Sequence, residues 1–298
     1  MSNILFIGGG RRTSLAERFE QQGHTVYGYE LEDDTPLSAQ HAIFKGLRWD
    51  NPNIKSDIQM CIEETRALAI PLQDAAIPIL AALDHDSVVC SDRLPASICF
   101  DKKKLDVFML DNFPDYYPAY EYDTGYIIKP RFGFGSHQII KHKPLVGSND
   151  IMQRLVKGPE YTVDAYFSKF THAMIGAVPR LRIRVADGEV IESVTCQNPA
   201  LHNVTKMIGE HLKLSGPVCF QYIISAGHPY LIEINTRFGG GATLSLEAGF
   251  NMIDMLVTEY GNNVAINTRR SDWKANMYMR RTLRDYFFHE GEHHENRS

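Results

Sequence analysis

The chain has 298 residues, of which 44% are hydrophobic and 22% are charged, a composition typical of a globular protein of about two domains. The formal net charge of -5 provides no basic field for nucleic acid, and five cysteines without CxxC spacing favour reduced thiols over a disulfide framework or zinc site. No segment reaches the roughly 18 apolar residues of a membrane span, so we expect a soluble, cytoplasmic protein with no membrane partner.

The first hundred residues alternate short apolar runs with helical patterns. Strands are predicted over residues 4–7, 25–29, 69–72 and 88–90, and helices over residues 13–22, 57–67 and 75–83. Strand–helix alternation is typical of an α/β domain whose parallel sheet is covered by helices on both faces.

The pattern changes near residue 100. A basic helix is predicted over residues 101–110, followed by a loop rich in proline and tyrosine. Alternating strands are then predicted over residues 126–129, 138–141, 161–167, 172–178, 180–185, 218–225 and 230–235. Because strands outnumber helices, this part is predicted to be an α+β domain with antiparallel sheets, beginning near residue 95.

The most informative segment is the strand that ends at Arg237. On a strand, Glu233, Asn235 and Arg237 share one face, while Ile232 and Ile234 point into a core. A carboxylate and an amide oxygen suit Mg²⁺, and an arginine one step further can bind a phosphoryl oxygen. An exposed polar strand face with a surface ion pair fits the same pattern equally well.

A hairpin extends this candidate metal site. The turn at residues 226–229 reverses the chain and brings Gln221 beside Glu233, where its amide oxygen is a further candidate ligand. A second polar strand face is formed by Arg180, Arg182 and Arg184, which alternate with apolar residues. Such a face either binds an anion or is simply solvated.

The N-terminal glycines allow a different interpretation. Gly8 and Gly10 follow the first predicted strand, and Glu30 ends the second, as in nicotinamide-dinucleotide domains. Position 13, however, is Thr where that motif has Gly. An NAD(P)-dependent oxidoreductase therefore remains as an alternative.

The Glu-x-Asn-x-Arg motif at residues 233–237, preceded by Gln221, resembles the metal and phosphate site of ATP-grasp ligases. The form with Gln is similar to the large subunit of carbamoyl phosphate synthetase, although this chain has a single grasp unit. Upstream motifs follow in the family's order, so the resemblance covers residues 100–260. It implies an α/β Rossmann-like pre-ATP-grasp domain at 1–95, and an ATP-grasp domain at 96–289 with a lid near 100–158 and a metal and phosphate part near 159–289. The tail, 290–298, is expected to be disordered.

The resemblance also implies the nucleotide contacts. Lys102, with the register open toward Lys103 and Lys104, and Lys129 match phosphate ligands, and Ser136 belongs to the glycine-containing flap. The hinge that contacts adenine is matched by Arg154, Leu155 and Val156, and the ribose-binding strand by Glu160 and Asp164.

Together these matches imply an ATP-dependent carboxylate–amine ligase that acts through an acyl-phosphate. Its cofactor would be Mg²⁺, with Mn²⁺ as an alternative, held by Gln221, Glu233 and Asn235. Arg237 and Lys129 would stabilise the transferring phosphoryl group, and Arg180 and Arg182 would hold the substrate carboxylate. The expected partners are ATP, an amino acid or other small carboxylate, and an amine, with a homodimer left open. A non-catalytic ATP-binding module is a further alternative.

Overall fold

The computed structural model describes residues 1–83, 85–121, 125–133, 149–186, 188–282 and 285. Its N-terminal part contains β1 Asn3–Ile7, α1 Thr13–Glu20, β2 Thr25–Glu30, β3 Ile43–Lys45, α2 Ile54–Thr65, β4 Ala67–Pro71 and α3 Ala76–Leu80. The four strands pair in the parallel order β3-β2-β1-β4. The predicted α/β class of this part is confirmed.

Alternate residues of the central strand β1 explain why helices lie on both sides of this sheet. Ile4 and Phe6 pack into one core cluster with α1, while Leu5 and Ile7 pack into another with α2 and α3. All four side chains are fully buried. Successive side chains of a strand point to opposite faces, so a strand that is apolar throughout requires a cover on each face.

The middle of the chain forms α4 Arg93–Phe100, α5 Lys102–Asn112, a 3-10 turn Pro114–Tyr116, β5 Tyr126–Pro130 and β6 Asp150–Arg154. Helix α5 begins after Asp101, whose carboxylate accepts a hydrogen bond from the Lys103 backbone N–H at 3.1 Å and so caps the helix. Strands β5 and β6 form an antiparallel pair.

The remaining strands form one antiparallel sheet of six, in the order β11-β10-β7-β8-β9-β12. Its elements are β7 Glu160–Phe167, β8 Met174–Ala186, β9 Glu189–Thr195, α6 Pro199–His211, β10 Gly216–Ser225, β11 His228–Asn235, α7 Ala242–Glu247, α8 Met252–Leu256, a π-helical turn Val257–Gly261 and β12 Tyr278–Arg280. The predicted α+β class with antiparallel sheets is confirmed.

The two parts share a core. The cluster around Phe6 and Phe19 continues into Phe238, Met252 and Trp273, which are all at least 90% buried. The division near residue 95 therefore follows the change of sheet type and not a gap between separate cores. As a domain boundary it stays a prediction.

Several predicted elements differ in the structure. The strands predicted over 172–178 and 180–185 are one continuous strand, β8, that runs through Pro179. The strand predicted over 88–90 is reduced to a single bridge between Val88 and Ala69. Strands β3, β6, β9 and β12 and helices α4, α6 and α8 were not predicted. The predicted strand at 138–141 and the tail lie outside the described residues.

All five cysteines are free thiols. Within the described part of the chain, no helix combines the length and apolar character needed to cross a membrane.

Candidate active site

The candidate metal ligands lie on the adjacent strands β10 and β11. Gln221 is paired directly with Glu233, as the hairpin predicted, and Cys219 is paired with Asn235. Gln221 and Glu233 are half-buried and Asn235 is buried. The three oxygen-bearing side chains therefore meet at one edge of the sheet.

A β-bulge adjusts the register of this strand pair. The pairing shifts between Gln221 and Tyr222, so that Tyr222 faces Leu231 and Ile232 is the extra residue. Leu231 and Ile234 both lie in the core, while Ile232 is half-exposed. The prediction that Ile234 packs in the core is confirmed, and the prediction for Ile232 is wrong because strict alternation fails at the bulge.

Arg237 connects this edge to the N-terminal part. Its Nε donates to Asp74 Oδ1 at 2.6 Å, and its Nη2 lies 3.4 Å from Asn235 Oδ1. Burial opposes the charge, but the nearby Asp74 carboxylate raises the pKa of Arg237. Arg237 is thus permanently cationic and held beside Asn235 by a residue from outside the ATP-grasp motifs.

Two lysines lie on the other side of the metal edge. Lys129, near the end of β5, is only 7% exposed, and burial, partly offset by Glu233, lowers its pKa to about 8. Lys102, at the start of α5, donates to the backbone oxygen of Gly133 at 2.7 Å. A small cavity is lined by Asp74, Lys102, Gly133, Glu233 and Asn235 among others. The flap residue Ser136 lies outside the described residues.

Arg182 contacts two of the polar residues of the candidate site. Its Nη1 donates to Glu160 at 2.9 Å and to the Gln221 amide oxygen at 3.3 Å. The Arg182 side chain is 10% exposed, whereas that of Glu160 is 49% exposed. Arg182 therefore lies beside the candidate metal edge, and Glu160 keeps an oxygen surface toward solvent.

Arg180 and Asp164 are placed differently from their predicted contacts. Both are 1% exposed, and Arg180 donates to the two Asp164 oxygens at 2.6 and 3.1 Å. Ser245 also donates to Asp164, at 2.5 Å. Because each charge is satisfied inside the protein, Arg180 and Asp164 form an internal ion pair. This corrects the predicted contact of Asp164 with the ribose and of Arg180 with the substrate carboxylate.

The far end of β8 also departs from its predicted pattern. Arg184 is exposed, and Ile183 and Val185 are 45% and 41% exposed, because β8 extends past β7, whose pairing ends at Leu181, and pairs irregularly with β9. Ile183 and Val185 therefore do not pack into the core. Only Arg182 of the three arginines contacts a candidate ligand.

The hinge residues run along the edge of the two-stranded sheet. Arg154 ends β6, and its backbone N–H donates to Pro118 at 3.0 Å, while that of Leu155 donates to Gly125 at 2.7 Å. Arg154, Leu155 and Val156 are all half-buried. Arg154 and Leu155 are thus fixed by backbone hydrogen bonds to the segments on either side of residues 122–124.

Gln153 is a polar side chain that sequence reasoning missed. It is 1% exposed, and its amide nitrogen donates to the Tyr117 hydroxyl at 2.5 Å. Its amide oxygen is buried without a hydrogen-bond partner in the described part of the chain. A buried unpartnered acceptor beside the hinge is costly unless a ligand satisfies it.

The glycine loop after β1 does not have the free backbone groups that a dinucleotide needs. The Glu30 carboxylate accepts hydrogen bonds from the backbone N–H groups of Gly9 and Gly10, and burial raises its pKa to about 7. Gly8 has a positive φ of 72°, and a Cβ there would lie 2.8 Å from that of Gln73. The glycines therefore allow the loop to pack closely, and its backbone N–H groups at Gly9 and Gly10 are engaged by Glu30.

The donor set fits a magnesium ion that shares its coordination with a nucleotide. One carboxylate and two amide oxygens provide few protein ligands, as Mg²⁺ prefers, and its remaining positions would be filled by phosphates and water. The described residues contain no group of three or more His, Cys, Asp or Glu that could hold a metal alone. The set therefore suits a metal ion that binds together with nucleotide phosphates better than a metal ion that is held by protein ligands alone.

The family model described as ATP-grasp in the biosynthetic pathway with Ter operon matches residues 149–281. No curated protein matches the chain by sequence. The fold is similar to that of an L-amino acid ligase from Bacillus licheniformis, with a TM-score of 0.63 at 14% identity over 87% of this chain and 74% of that one.

Two further solved structures have the same fold. The biotin carboxylase domain of a 2-oxoglutarate carboxylase from Hydrogenobacter thermophilus, solved with MgADP and bicarbonate, has a TM-score of 0.71 at 12% identity and covers 93% of this chain and 73% of that one. N5-carboxyaminoimidazole ribonucleotide synthetase from Thermotoga maritima has a TM-score of 0.63 at 14% identity, over 91% and 78% of the two chains. At these identities the likeness concerns the fold.

Proposed function

We propose that the chain is an ATP-grasp enzyme, an ATP- and magnesium-dependent ligase that joins a carboxylate to an amine, as the match to the ATP-grasp family model over residues 149–281 and the shared fold support. The observation that carries this proposal is the convergence of Gln221, Glu233 and Asn235 with two cations, Lys129 and Arg237, at one edge of the sheet. Such a set neutralises transferring phosphates, whereas a solvated strand face has no reason to bury a lysine.

The nucleotide would lie between the two sheets. Its adenine would contact the hinge at Arg154, Leu155 and Val156, and its amino group would donate to the unpartnered oxygen of Gln153. Glu160 would accept the ribose hydroxyls, because its carboxylate remains partly exposed beside Arg182. Asp164 has no part in this arrangement.

The phosphates would extend from the ribose toward Lys129 and Lys102. Both ammonium groups are point charges that can follow the phosphate oxygens as these move. The pKa of Lys129 is lowered to about 8. Bound phosphates would raise this pKa again and restore the charged form, as expected of a site that binds an anion. Lys102, now bonded to Gly133, would exchange that backbone oxygen for a phosphate oxygen.

Magnesium, or Mn²⁺ in its place, would supply Lewis-acid activation of the γ-phosphate when it is bound by Gln221, Glu233 and Asn235 together with the nucleotide. The two arginine contacts of this set are long, 3.3 Å to the Gln221 oxygen and 3.4 Å to the Asn235 oxygen. Such weak contacts are readily replaced by a metal.

The chemistry would proceed in two displacements. A carboxylate oxygen of the substrate attacks the γ-phosphorus, the bond to the β-phosphate oxygen breaks, and ADP leaves an acyl-phosphate behind. An amine then attacks the acyl carbon, loses a proton and expels phosphate. Arg237 would stabilise the charge on the transferring group, and Arg182 would orient the reacting carboxylate from the Gln221 side. The solved L-amino acid ligase supports an amino acid as the first carboxylate to be tested.

The test is ATP-dependent phosphate release, measured with a panel of carboxylates in the presence and absence of amines. We expect release that requires one carboxylate and one amine together, and that is lost in Glu233→Gln. Lys103→Met is the matched control, because this exposed lysine neighbours Lys102 without facing the site. Nucleotide binding without turnover over the whole panel would favour a non-catalytic ATP-binding module.

Thermal unfolding distinguishes the proposed ligase from the remaining alternative, an NAD(P)-dependent oxidoreductase. Mg-ATP should raise the midpoint, since a ligand that binds only the folded state stabilises it. NAD and NADP should not, because Glu30 already accepts the N–H groups of Gly9 and Gly10. A shift with NAD and none with Mg-ATP would favour the oxidoreductase.

A further inference from the structure

Four arginines surround the loop of Gly239, Gly240 and Gly241, which follows the metal strand. Arg237 precedes the loop, and Arg281 donates to the Gly240 backbone oxygen. A Cβ at position 240 would lie 3.1 Å from Nη1 of Arg12, and one at position 241 would lie 2.6 Å from Nη1 of Arg180. The glycines therefore allow guanidinium groups from three parts of the chain to approach the same loop.

Three of these guanidinium groups have a carboxylate partner. Arg180 pairs with Asp164, Arg237 pairs with Asp74 at 2.6 Å, and Arg281 pairs with Glu189 at 2.9 Å. Each of these carboxylates is thus already engaged.

Arg12 is the exception. Its side chain has no hydrogen bond or ion pair within the part of the chain that the structure describes. It is half-buried, and burial together with the neighbouring Arg237 and Arg281 lowers its pKa to about 10. The carboxylate that acts on Arg12, Glu189, is already paired with Arg281, so Arg12 has no carboxylate of its own among the described residues, and a half-buried charge without a partner is unfavourable.

The position of Arg12 separates it from the nucleotide contacts. The charged groups that act on Arg12 are Arg237, Arg281 and Glu189, whereas those that act on Lys129 are Glu233, Lys102 and Glu160. The two sets are connected through Glu233 and Arg237, which interact electrostatically; Glu233 lies on β11 and Arg237 follows its end. An anion bound by Arg12 would therefore lie beside Arg237 and Arg281, and not beside the two lysines.

We propose that Arg12, from the loop after β1, binds an oxyanion of the substrate that accepts the phosphoryl group, with Arg281 beside it. This inference rests on the proposed function and specifies its substrate class: an acid held by a carboxylate or phosphate oxyanion at the junction of the N-terminal sheet and the glycine loop. A guanidinium suits this role because its planar fork matches two oxygens of either group.

The experiment uses the full chain with Mg-AMPPCP, a nonhydrolysable ATP analogue that fills the nucleotide site up to the γ-phosphate. Malonate and inorganic phosphate are titrated separately while the thermal midpoint is recorded, with sodium chloride at matched ionic strength as the reference. The variants are Arg12→Gln, Arg12→Lys and, as the matched control, Arg11→Gln, which removes the exposed neighbouring charge.

We expect a saturable rise in the midpoint with at least one of the two anions for the parent and Arg11→Gln. Arg12→Gln should weaken that binding by roughly tenfold to a hundredfold, the effect of losing one charge-assisted pair, and Arg12→Lys by less. The anion that acts identifies whether the substrate oxyanion is a carboxylate or a phosphate. Arg12→Gln should fold, because it removes a guanidinium that repels two others; if it does not, the comparison of Arg12→Lys with Arg11→Gln decides.

The inference is overturned if Arg12→Gln binds the anions as tightly as the parent, or if the parent responds to them no more than to sodium chloride. The proposed function has a separate readout in the same samples, because Arg12→Gln should bind Mg-AMPPCP as the parent does. If no protein binds Mg-AMPPCP, the proposed function fails, and the anion titrations without nucleotide still test Arg12.

Discussion

Replacing Lys129 with methionine tests whether this lysine is a buried cation that binds the phosphates of the nucleotide. Lys129 is 7% exposed, and burial lowers its pKa from 10.5 to about 8 even though Glu233 attracts it. At pH 7 the folded protein therefore holds a charge in a position that disfavours it. Methionine has a similar length and no charge, so Lys129→Met should stabilise the fold while it removes a phosphate contact.

The magnitude follows from the difference between the folded and unfolded pKa values. For a lysine whose folded pKa is depressed, the unfolded state binds more protons between pH 8 and 10.5, so stability rises with pH through that window. The cost of the buried charge is about 3 kcal/mol at pH 7 and about 1 kcal/mol at pH 9.5. The advantage of Lys129→Met should shrink accordingly as the pH rises.

Urea unfolding of both proteins at pH 7 and pH 9.5 measures this difference, and the comparison cancels the titration of all other groups. Lys103→Met, at an exposed position, should change the free energy of unfolding by less than about 0.5 kcal/mol at either pH. Isothermal titration should show Mg-ATP affinity lowered roughly tenfold to a hundredfold in Lys129→Met alone. A destabilised Lys129→Met at pH 7, or a difference that does not vary with pH, would refute the reasoning.

Three further predictions concern the same site and its supports. Glu233→Gln should lower ATP-dependent phosphate release by about two orders of magnitude or more while changing the free energy of unfolding by less than about 1 kcal/mol. Its neighbour Ile234 packs in the core, so Ile234→Ala should lose roughly 2–5 kcal/mol of stability and keep activity in the folded fraction. Glu30 has a raised pKa of about 7, so its charged form costs stability as pH rises from 4.5 through 7. Glu30→Gln should thus stabilise by about 3 kcal/mol at pH 8 and about 1 kcal/mol at pH 5 in urea unfolding, and an equal effect at both would contradict this. Asp74→Asn should cost about 1–3 kcal/mol and lower phosphate release, because Arg237 loses its partner; unchanged turnover would show that Arg237 needs no such support.

The fold class could be predicted because apolar patterning determines which surfaces must be covered. The run from Ile4 to Ile7 is apolar on both faces, and the structure covers both. The predictions of individual elements were wrong where the local sequence pattern and the tertiary strand pairing disagree. Pro179 marked a break between two predicted strands, yet β8 continues through it because its partners on both sides hold it in register. The bulge at Ile232 left no mark in the sequence, since bulges depend on the partner strand.

The candidate site was predictable where one strand carries the chemistry, as in Glu233 and Asn235, whose spacing alone places them together. Charge alternation was less informative. Arg180 and Arg182 have the same spacing and residue type, but Arg180 finds Asp164 in the core and Arg182 finds Glu160 and Gln221 at the site. Which partner lies opposite each arginine depends on the neighbouring strand, which a single segment does not encode.

The residues that sequence reasoning missed share one property: their partners are distant in the chain. Asp74 lies 163 residues from Arg237 and forms its ion pair, and Arg12 reaches the loop at Gly240 from the position just before α1. Both belong to the N-terminal part, whose core is continuous with that of the later elements around Phe238. The parallel sheet therefore does more than precede the ATP-grasp elements. It contacts Arg237 through Asp74 and places Arg12 beside the glycine loop that follows the metal strand, so the N-terminal part contributes two of the charged groups around that loop, whereas the candidate metal ligands all come from β10 and β11.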